Sequence, residues 1–133
     1  MDEIKIRVGV EVNLTEDLEK VKRAVENVFS VAEFEVKPGE KGSLLMAKTE
    51  GMEGLTKLYN LLRRERIRDA ARKVLFKGLS ENSITFYLNK QVAYAGHVSF
   101  CQPVAESPLG PIKVQITCDN PKELIEWLAP KTT

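Results

Sequence analysis

The residues best suited to bind a charged ligand lie between positions 63 and 77. The whole sequence has 20 Lys and Arg against 19 Asp and Glu, so its formal net charge is only +1. Residues 63–77 hold seven of these cations and two carboxylates, an excess of five. Because the arginine fork donates in pairs to phosphate oxygens, this segment is suited to a nucleic-acid backbone. The predicted phosphate-binding residues here are Arg63, Arg64, Arg66, Arg68, Arg72 and Lys73.

The same segment fits a second interpretation, in which its charges neutralise one another on a solvated helix. Glu65 lies three residues before Arg68. Asp69 lies three residues before Arg72 and four before Lys73. Pairs at these spacings stabilise a helix by roughly a few tenths of a kcal/mol each. The spacing alone leaves both interpretations open.

A second polar group, Asn89, Lys90 and Gln91, lies between two predicted strands. These side chains donate and accept hydrogen bonds, which suits base edges or phosphates. A turn requires polar residues in any case. We add the three residues to the predicted RNA-binding set.

Catalytic chemistry is not indicated. His97 would share a strand face with Ser99 and Cys101, but residues two and four apart are roughly 7 and 13 Å apart, too far for direct proton transfer. No G-x-S-x-G elbow is present. Residues 37–43 (KPGEKGS) lack the glycine spacing and the lysine of a phosphate-binding loop. The sequence therefore predicts no catalytic residues.

The two cysteines indicate neither a disulfide framework nor a metal site. Cys101 and Cys118 lie 17 positions apart, with His97 as the nearest other soft ligand. A structural zinc site needs four ligands at close spacing. We predict two free thiols, no metal and no cofactor.

Composition indicates one globular domain spanning residues 1–133. Hydrophobic residues make up 43% of the chain and charged residues 29%, close to globular averages. No apolar run approaches the roughly 18 to 20 residues that cross a bilayer, and the first residues alternate charged with apolar side chains. We expect a cytoplasmic protein without a membrane partner.

The first half of the chain predicts a strand, a helix and a hairpin. Residues 4–12 alternate apolar with polar side chains, as a half-buried strand does. A helix is predicted over 16–29 with Thr15 as its N-cap, and strands over 32–37 and 44–47 form the hairpin. Residues 53–77 read as helix, but the apolar face turns by about 130° along them. We therefore predict a break near 63–66 and an end at Gly78.

The second half predicts three strands and a helix. The strands span 83–88, 92–100 and 112–117, with a proline-rich turn over 102–111. Asn120, Pro121 and Glu123 fit the N-cap, first residue and box partner of a last helix. Aromatic residues at strand spacing, such as Tyr87 and Tyr94, are more often core than base-stacking platforms. The order favours an α+β fold, mainly antiparallel, with helices on one sheet face and the other face free for a partner.

Four segments resemble an uncharacterised archaeal protein family. They are residues 66–72 (RIRDAAR), 86–93 (FYLNKQVA), 96–100 (GHVSF) and 109–112 (LGPI). Members of that family are predicted to bind RNA or to associate with the exosome. The resemblance implies a fold similar to the ribosomal protein that binds 5S RNA, a homodimer, and RNA or an RNA-processing complex as partner.

We therefore expect a non-catalytic RNA-binding protein. One alternative is an interaction or dimerisation module that does not itself touch RNA. A less favoured alternative is an enzyme acting on a nucleotide or on RNA.

Overall fold

The computed structural model describes residues 3–40, 42–102 and 110–131, which form both strands and helices. Within those ranges the strands are β1 (Ile4–Asn13), β2 (Glu33–Gly39), β3 (Gly42–Glu50), β4 (Leu79–Ser80), β5 (Ser83–Leu88) and β6 (Ile112–Cys118). The helices are α1 (Leu18–Val28), α2 (Thr56–Arg64), α3 (Arg68–Lys77), α4 (Lys90–Tyr94) and α5 (Pro121–Leu128), and a 3-10 turn (Met52–Leu55) precedes α2. The predicted α+β class is confirmed.

The strands form one sheet in the order β2-β3-β1-β6-β5-β4. Every neighbouring pair in it is antiparallel. β1 lies between β3 and β6, with Arg7 opposite Lys48 on one side and Gln115 on the other. This register fixes which side chains share a face, because alternate residues of a strand point to opposite sides.

One face of the sheet carries the core, and on the other face the outward residues of the central strands β1 and β6 are mostly exposed. In β1 the apolar residues from Ile4 to Val12 are buried, while Lys5, Arg7 and Glu11 are exposed. β6 repeats this pattern, with every second residue buried. The helices contribute Val28, Leu58, Leu62, Leu75 and Leu124 to the same core. The prediction of helices packed on one face of the sheet is confirmed.

The predicted break in the second helical segment is confirmed. α2 buries Leu58, Leu61 and Leu62, whereas α3 buries Ala71 and Leu75. Between them the backbone turns at residue 66, whose φ of 55° lies in the left-handed region. The chain thereby reorients its apolar side, which a straight helix would have left partly exposed.

The predicted strand over 92–100 is wrong, since these residues begin inside α4. Asn89 is the N-cap of α4, and its side chain accepts a hydrogen bond from the Val92 N–H at 3.0 Å. Asn27 of α1 donates to the carbonyls of Ala93 and Tyr94 at 3.0 and 3.2 Å. Asn89 to Gln91 is therefore a helix start and not a turn between strands.

Smaller differences concern caps and short elements. Asp17, and not Thr15, caps α1 by accepting a hydrogen bond from the Glu19 N–H at 3.0 Å. β4 and the 3-10 turn were not predicted. The Asn120 cap of α5 is confirmed, with its side chain accepting from the Glu123 N–H at 3.2 Å. Most of the predicted turn over 102–111 lies outside the described residues.

None of the helices in the described ranges has the length and apolar character needed to cross a membrane.

Candidate nucleic-acid interface

Arg63 holds α2 and α5 together. Its guanidinium lies 3.4 Å from the ring centroid of Tyr59. It donates to the carbonyls of Tyr59 and Leu128 and to that of Trp127, each at 3.2 Å. These carbonyls at the end of α5 lack helical partners, so the arginine completes their hydrogen bonding. The geometry gives Arg63 a structural role.

Arg72 is likewise engaged within the protein. Its two terminal nitrogens donate to the two carboxylate oxygens of Glu126, the first at 2.8 Å, and one also reaches the Ala129 carbonyl at 3.3 Å. The fork geometry is the same one that would suit a phosphate. The pair joins α3 to α5. Because both terminal nitrogens of Arg72 donate to Glu126, they are not available to a phosphate.

The Arg72–Glu126 pair is expected to make the protein less stable as the pH falls into the acid range. The hydrogen bond from Arg72 holds the pKa of Glu126 below its ordinary value. A lowered folded-state pKa gives stability that is present above the unfolded pKa, about 4.3, and is lost as the pH falls through the lower folded pKa. We expect Glu126→Gln to lower Tm at pH 7, with a difference from wild type that shrinks towards pH 3. A difference that stayed constant across this range would contradict the assignment.

Lys90 is buried, with 4% of its side chain exposed. Its ammonium donates to the Glu11 carbonyl at 2.7 Å and to the Glu16 carboxylate at 3.0 Å. Glu16 in turn accepts from the Asn13 N–H and side-chain amide, both at 3.0 Å. Lys90 therefore anchors the start of α4 to the end of β1. Of its predicted neighbours, Asn89 is engaged as the cap and Gln91 is exposed.

Arg64 and His97 meet at the carboxylate of Glu65. The Nδ1 atom of His97 lies 3.3 Å from Glu65, and Arg64 lies 3.6 Å from the same oxygen. Arg64 also donates to the Gly96 carbonyl at 2.9 Å, although 63% of its side chain is exposed. The Val98 N–H donates to the other oxygen of Glu65 at 3.3 Å. This cluster secures the segment after α4 against the end of α2.

Three predicted cations remain directed to solvent, and we call them the junction surface: Arg66, Arg68 and Lys73. Arg66 and Lys73 are exposed and Arg68 is half-buried. Within the described ranges, none of the three makes an ion pair within 4.0 Å. Arg66 lies between α2 and α3, Arg68 is the first residue of α3, and Lys73 lies in the middle of α3. This arrangement leaves their donors available to an anion.

The groups that catalysis or metal binding would need are not gathered in the described part of the chain. No group of three or more His, Cys, Asp or Glu side chains is placed to hold a metal ion there. Cys118 is buried, and burial raises the pKa of its thiol. His97 is exposed, and its Nδ1 atom lies 3.3 Å from the Glu65 carboxylate, which is not a nucleophile that a histidine base would activate.

The open side of the sheet holds further polar residues that sequence reasoning did not assign to the site. We call it the sheet face; it consists of the outward residues of β1, β2, β3, β5 and β6. A groove of about 610 Å³ lies on it. Its lining includes Arg7, Gly9, Met46, Lys113 and Gln115. The alternation in β1 signals an exposed arginine, but not the neighbours that β3 and β6 bring beside it.

The fold and these surfaces define a small α+β domain with outward cations on both of its sides. The chain belongs to the UPF0201 family, and a family described as RNA binding matches residues 5–118. The predicted membership of an archaeal family with an RNA-binding description is thereby confirmed.

Relatives align over nearly the full chain. A UPF0201 protein of Pyrobaculum islandicum is 47% identical over 130 residues, which cover 97% of this chain and 91% of the relative. One from Sulfurisphaera tokodaii is 46% identical over 128 residues, covering 96% and 88%. The crystal structure of the UPF0201 protein from Methanococcus jannaschii superimposes with a TM-score of 0.87 at 37% identity, covering 97% and 95%. The fold described above is thus shared by a solved relative.

Proposed function

We propose that this protein binds RNA without catalysing a reaction, and that the junction surface contacts the phosphate backbone. The observation that carries the proposal is the set of outward cations at Arg66, Arg68 and Lys73, which have no ion pair in the described ranges. Membership of a family described as RNA binding supports it. Arg64 contributes at the margin of the surface.

The backbone at Arg66 supports a role for its side chain. A φ of 55° is unfavourable for a residue with a Cβ, by roughly 1 to 2 kcal/mol, and glycine would adopt it without that cost. A non-glycine residue in such a conformation is a reason to look for function. The exposed guanidinium supplies donors that glycine lacks.

Contacts between these cations and phosphates recognise the RNA backbone and not the base sequence. Each neutralised phosphate releases counterions, so affinity falls as salt rises. Phosphate contacts position the nucleic acid, while bases must be read by other groups. The junction surface therefore accounts for general RNA affinity.

The proposal predicts a specific salt dependence. If about four phosphates are neutralised, log K should fall with log salt at a slope of roughly −3 to −4. We expect the triple variant Arg66→Gln, Arg68→Gln, Lys73→Gln to reduce the slope by about 2 to 3 and affinity by on the order of tenfold to a hundredfold. Filter-binding titrations of wild type and variant between 0.05 and about 0.3 M salt measure both quantities.

A matched control removes three cations elsewhere. Arg23, Lys122 and Lys131 are exposed on the helical side of the domain. Their replacement by glutamine changes the net charge equally but should leave the slope within about 1 of the wild-type value. Equal losses of affinity and slope in both triple variants would show that net charge alone causes the effect and would contradict a specific role for the junction surface. A wild-type affinity independent of salt would refute the proposed mechanism.

The finer expectations rest on the family resemblance. We propose that the RNA partner is met in the cytoplasm and in the setting of RNA processing, with the exosome as the complex that the resemblance implies. A homodimer and a likeness to the 5S-RNA-binding ribosomal protein are proposals of the same kind. Co-purification with and without nuclease tests the association with an RNA-processing complex. Sedimentation velocity tests the homodimer.

A further inference from the structure

The centre of the sheet face contains an open space above Gly9. A Cβ built on this glycine has no atom within 4 Å, and its φ is not in the left-handed region. Gly9 lies opposite Met46 on one side and Lys113 on the other. The missing side chain therefore opens the middle of the groove of about 610 Å³. That volume suits a ligand of one or two nucleotides.

Two cations, Arg7 and Lys113, line this groove, and Lys48 lies beside Arg7 outside the lining. Arg7 lies directly opposite Lys48, a placement of like charges that is usually destabilising. Lys113 lies diagonally from Arg7, at about 7 to 8 Å by strand geometry. None of the three makes an ion pair within 4.0 Å in the part of the chain that is described. An anion between them would relieve the repulsion.

Apolar side chains form the rest of the groove and its border. Leu44 is 39% exposed and Met46 is half-buried, and both line the groove. Tyr87 of β5 lies directly opposite Lys113 and is half-buried on the same face. Apolar and aromatic surface beside phosphate-binding cations is what unstacked bases require. A duplex, whose bases are stacked inside, would leave this surface unused.

Carboxylates on the sheet face lie mainly at its margins. Glu33 and Glu35 are on the edge strand β2, with Glu33 directly opposite Lys48, and Glu50 is the last residue of β3. Glu11 lines one end of the groove beside Leu44. A carboxylate there can accept a hydrogen bond from a base amino group. The charge pattern thus favours phosphates over the central strands and away from β2.

We infer that the sheet face binds a single-stranded RNA segment, with phosphates at Arg7, Lys48 and Lys113 and bases against Leu44, Met46 and Tyr87. The inference rests on the proposed RNA-binding function and names the form of RNA. The junction surface lies on the helical side of the sheet, so the two surfaces contact different parts of the polymer.

Gly9→Val tests the sheet face directly, because the valine fills the groove and suits a strand. The probes are a 12-nucleotide oligouridine, a hairpin duplex and uridine monophosphate, measured by fluorescence anisotropy or calorimetry. We expect Gly9→Val to weaken oligouridine binding at least tenfold and to leave the duplex unchanged. Thr117→Val, on the same face but outside the groove, should bind as wild type.

Arg7→Gln with Lys113→Gln should reduce the salt slope for oligouridine by about 1.5 to 2. Wild-type-like oligouridine binding by Gly9→Val would overturn the inference while leaving RNA binding by the junction surface intact. Equal losses for oligouridine and duplex, or monophosphate binding as tight as oligouridine binding, would also overturn it. So would a dimer that Gly9→Val converts to a monomer, since the face would then belong to a second copy. Absence of RNA binding by wild type would instead refute the proposed function.

Discussion

Lys90→Ala is expected to lower the free energy of unfolding by about 3 to 5 kcal/mol. Removing the ammonium would leave the Glu16 carboxylate, whose side chain is 10% exposed, without its buried partner. The Glu11 carbonyl would also lose its hydrogen bond from the lysine. An uncompensated buried charge is among the largest single-residue effects on stability. Urea unfolding followed by circular dichroism measures the change.

A second variant shows how much of the lost unfolding free energy comes from the ion pair and how much from packing. Lys90→Met combined with Glu16→Gln removes both charges and keeps most of the volume, so we expect it to recover at least half of the loss. RNA affinity of folded Lys90→Met, Glu16→Gln should match wild type, because Lys90 is not available to a ligand. A loss below about 1 kcal/mol in Lys90→Ala would show that the pair contributes little.

Arg63→Ala is expected to lower the free energy of unfolding by about 2 to 4 kcal/mol. The variant would lose the stacking on Tyr59 and the donors to the carbonyls of Trp127 and Leu128. Arg63→Lys should recover little, because a single ammonium cannot reproduce the planar fork. Chemical denaturation of both variants measures the effect.

Arg23→Ala provides the control for Arg63. Arg23 is exposed on α1, and its replacement should change stability by less than about 0.5 kcal/mol. If Arg63→Ala instead left stability unchanged and weakened RNA binding, the arginine would be a ligand contact and its structural role would be wrong.

Local patterns were sufficient for most of the fold. Alternation in β1 and β6, the caps of α5 and the shift of the apolar side between α2 and α3 are all properties of neighbouring residues. Each depends on contacts within a few positions, which the sequence displays directly. The break at residue 66 was predictable because one straight helix could not bury both apolar sets.

The region after β5 could not be predicted from alternation. Val92, Tyr94, Val98 and Phe100 have strand spacing, but helical hydrogen bonds form from residue 90, and the buried residues of α4 are Lys90 and Ala93. Asn27, 66 positions from Ala93, completes the hydrogen bonding at the end of α4. A contact at that separation has no local signature, so tertiary structure overrides the pattern.

The candidate site likewise combines features that neighbouring residues reveal with contacts between residues far apart in the sequence. The sequence shows where the cations cluster. The carboxylates that form ion pairs with some of them are distant along the chain. Glu126 is 54 positions from Arg72, and Glu16 is 74 positions from Lys90. Charge counting cannot separate such residues from Arg66 or Lys73. The sheet face was likewise hidden, because its cations come together only through the register of β1 with β3 and β6.

Ultraviolet crosslinking of the full chain to oligouridine, with mapping of the attached peptides by mass spectrometry, tests the RNA-binding claim most directly. We expect crosslinks within residues 64–77 and on the outward residues of β3 and β5, with Met46 and Tyr87 among them, and their loss when unlabelled RNA competes. Crosslinks confined to the exposed residues of α1 and α5, or none under conditions that label a known RNA-binding protein, would contradict the account.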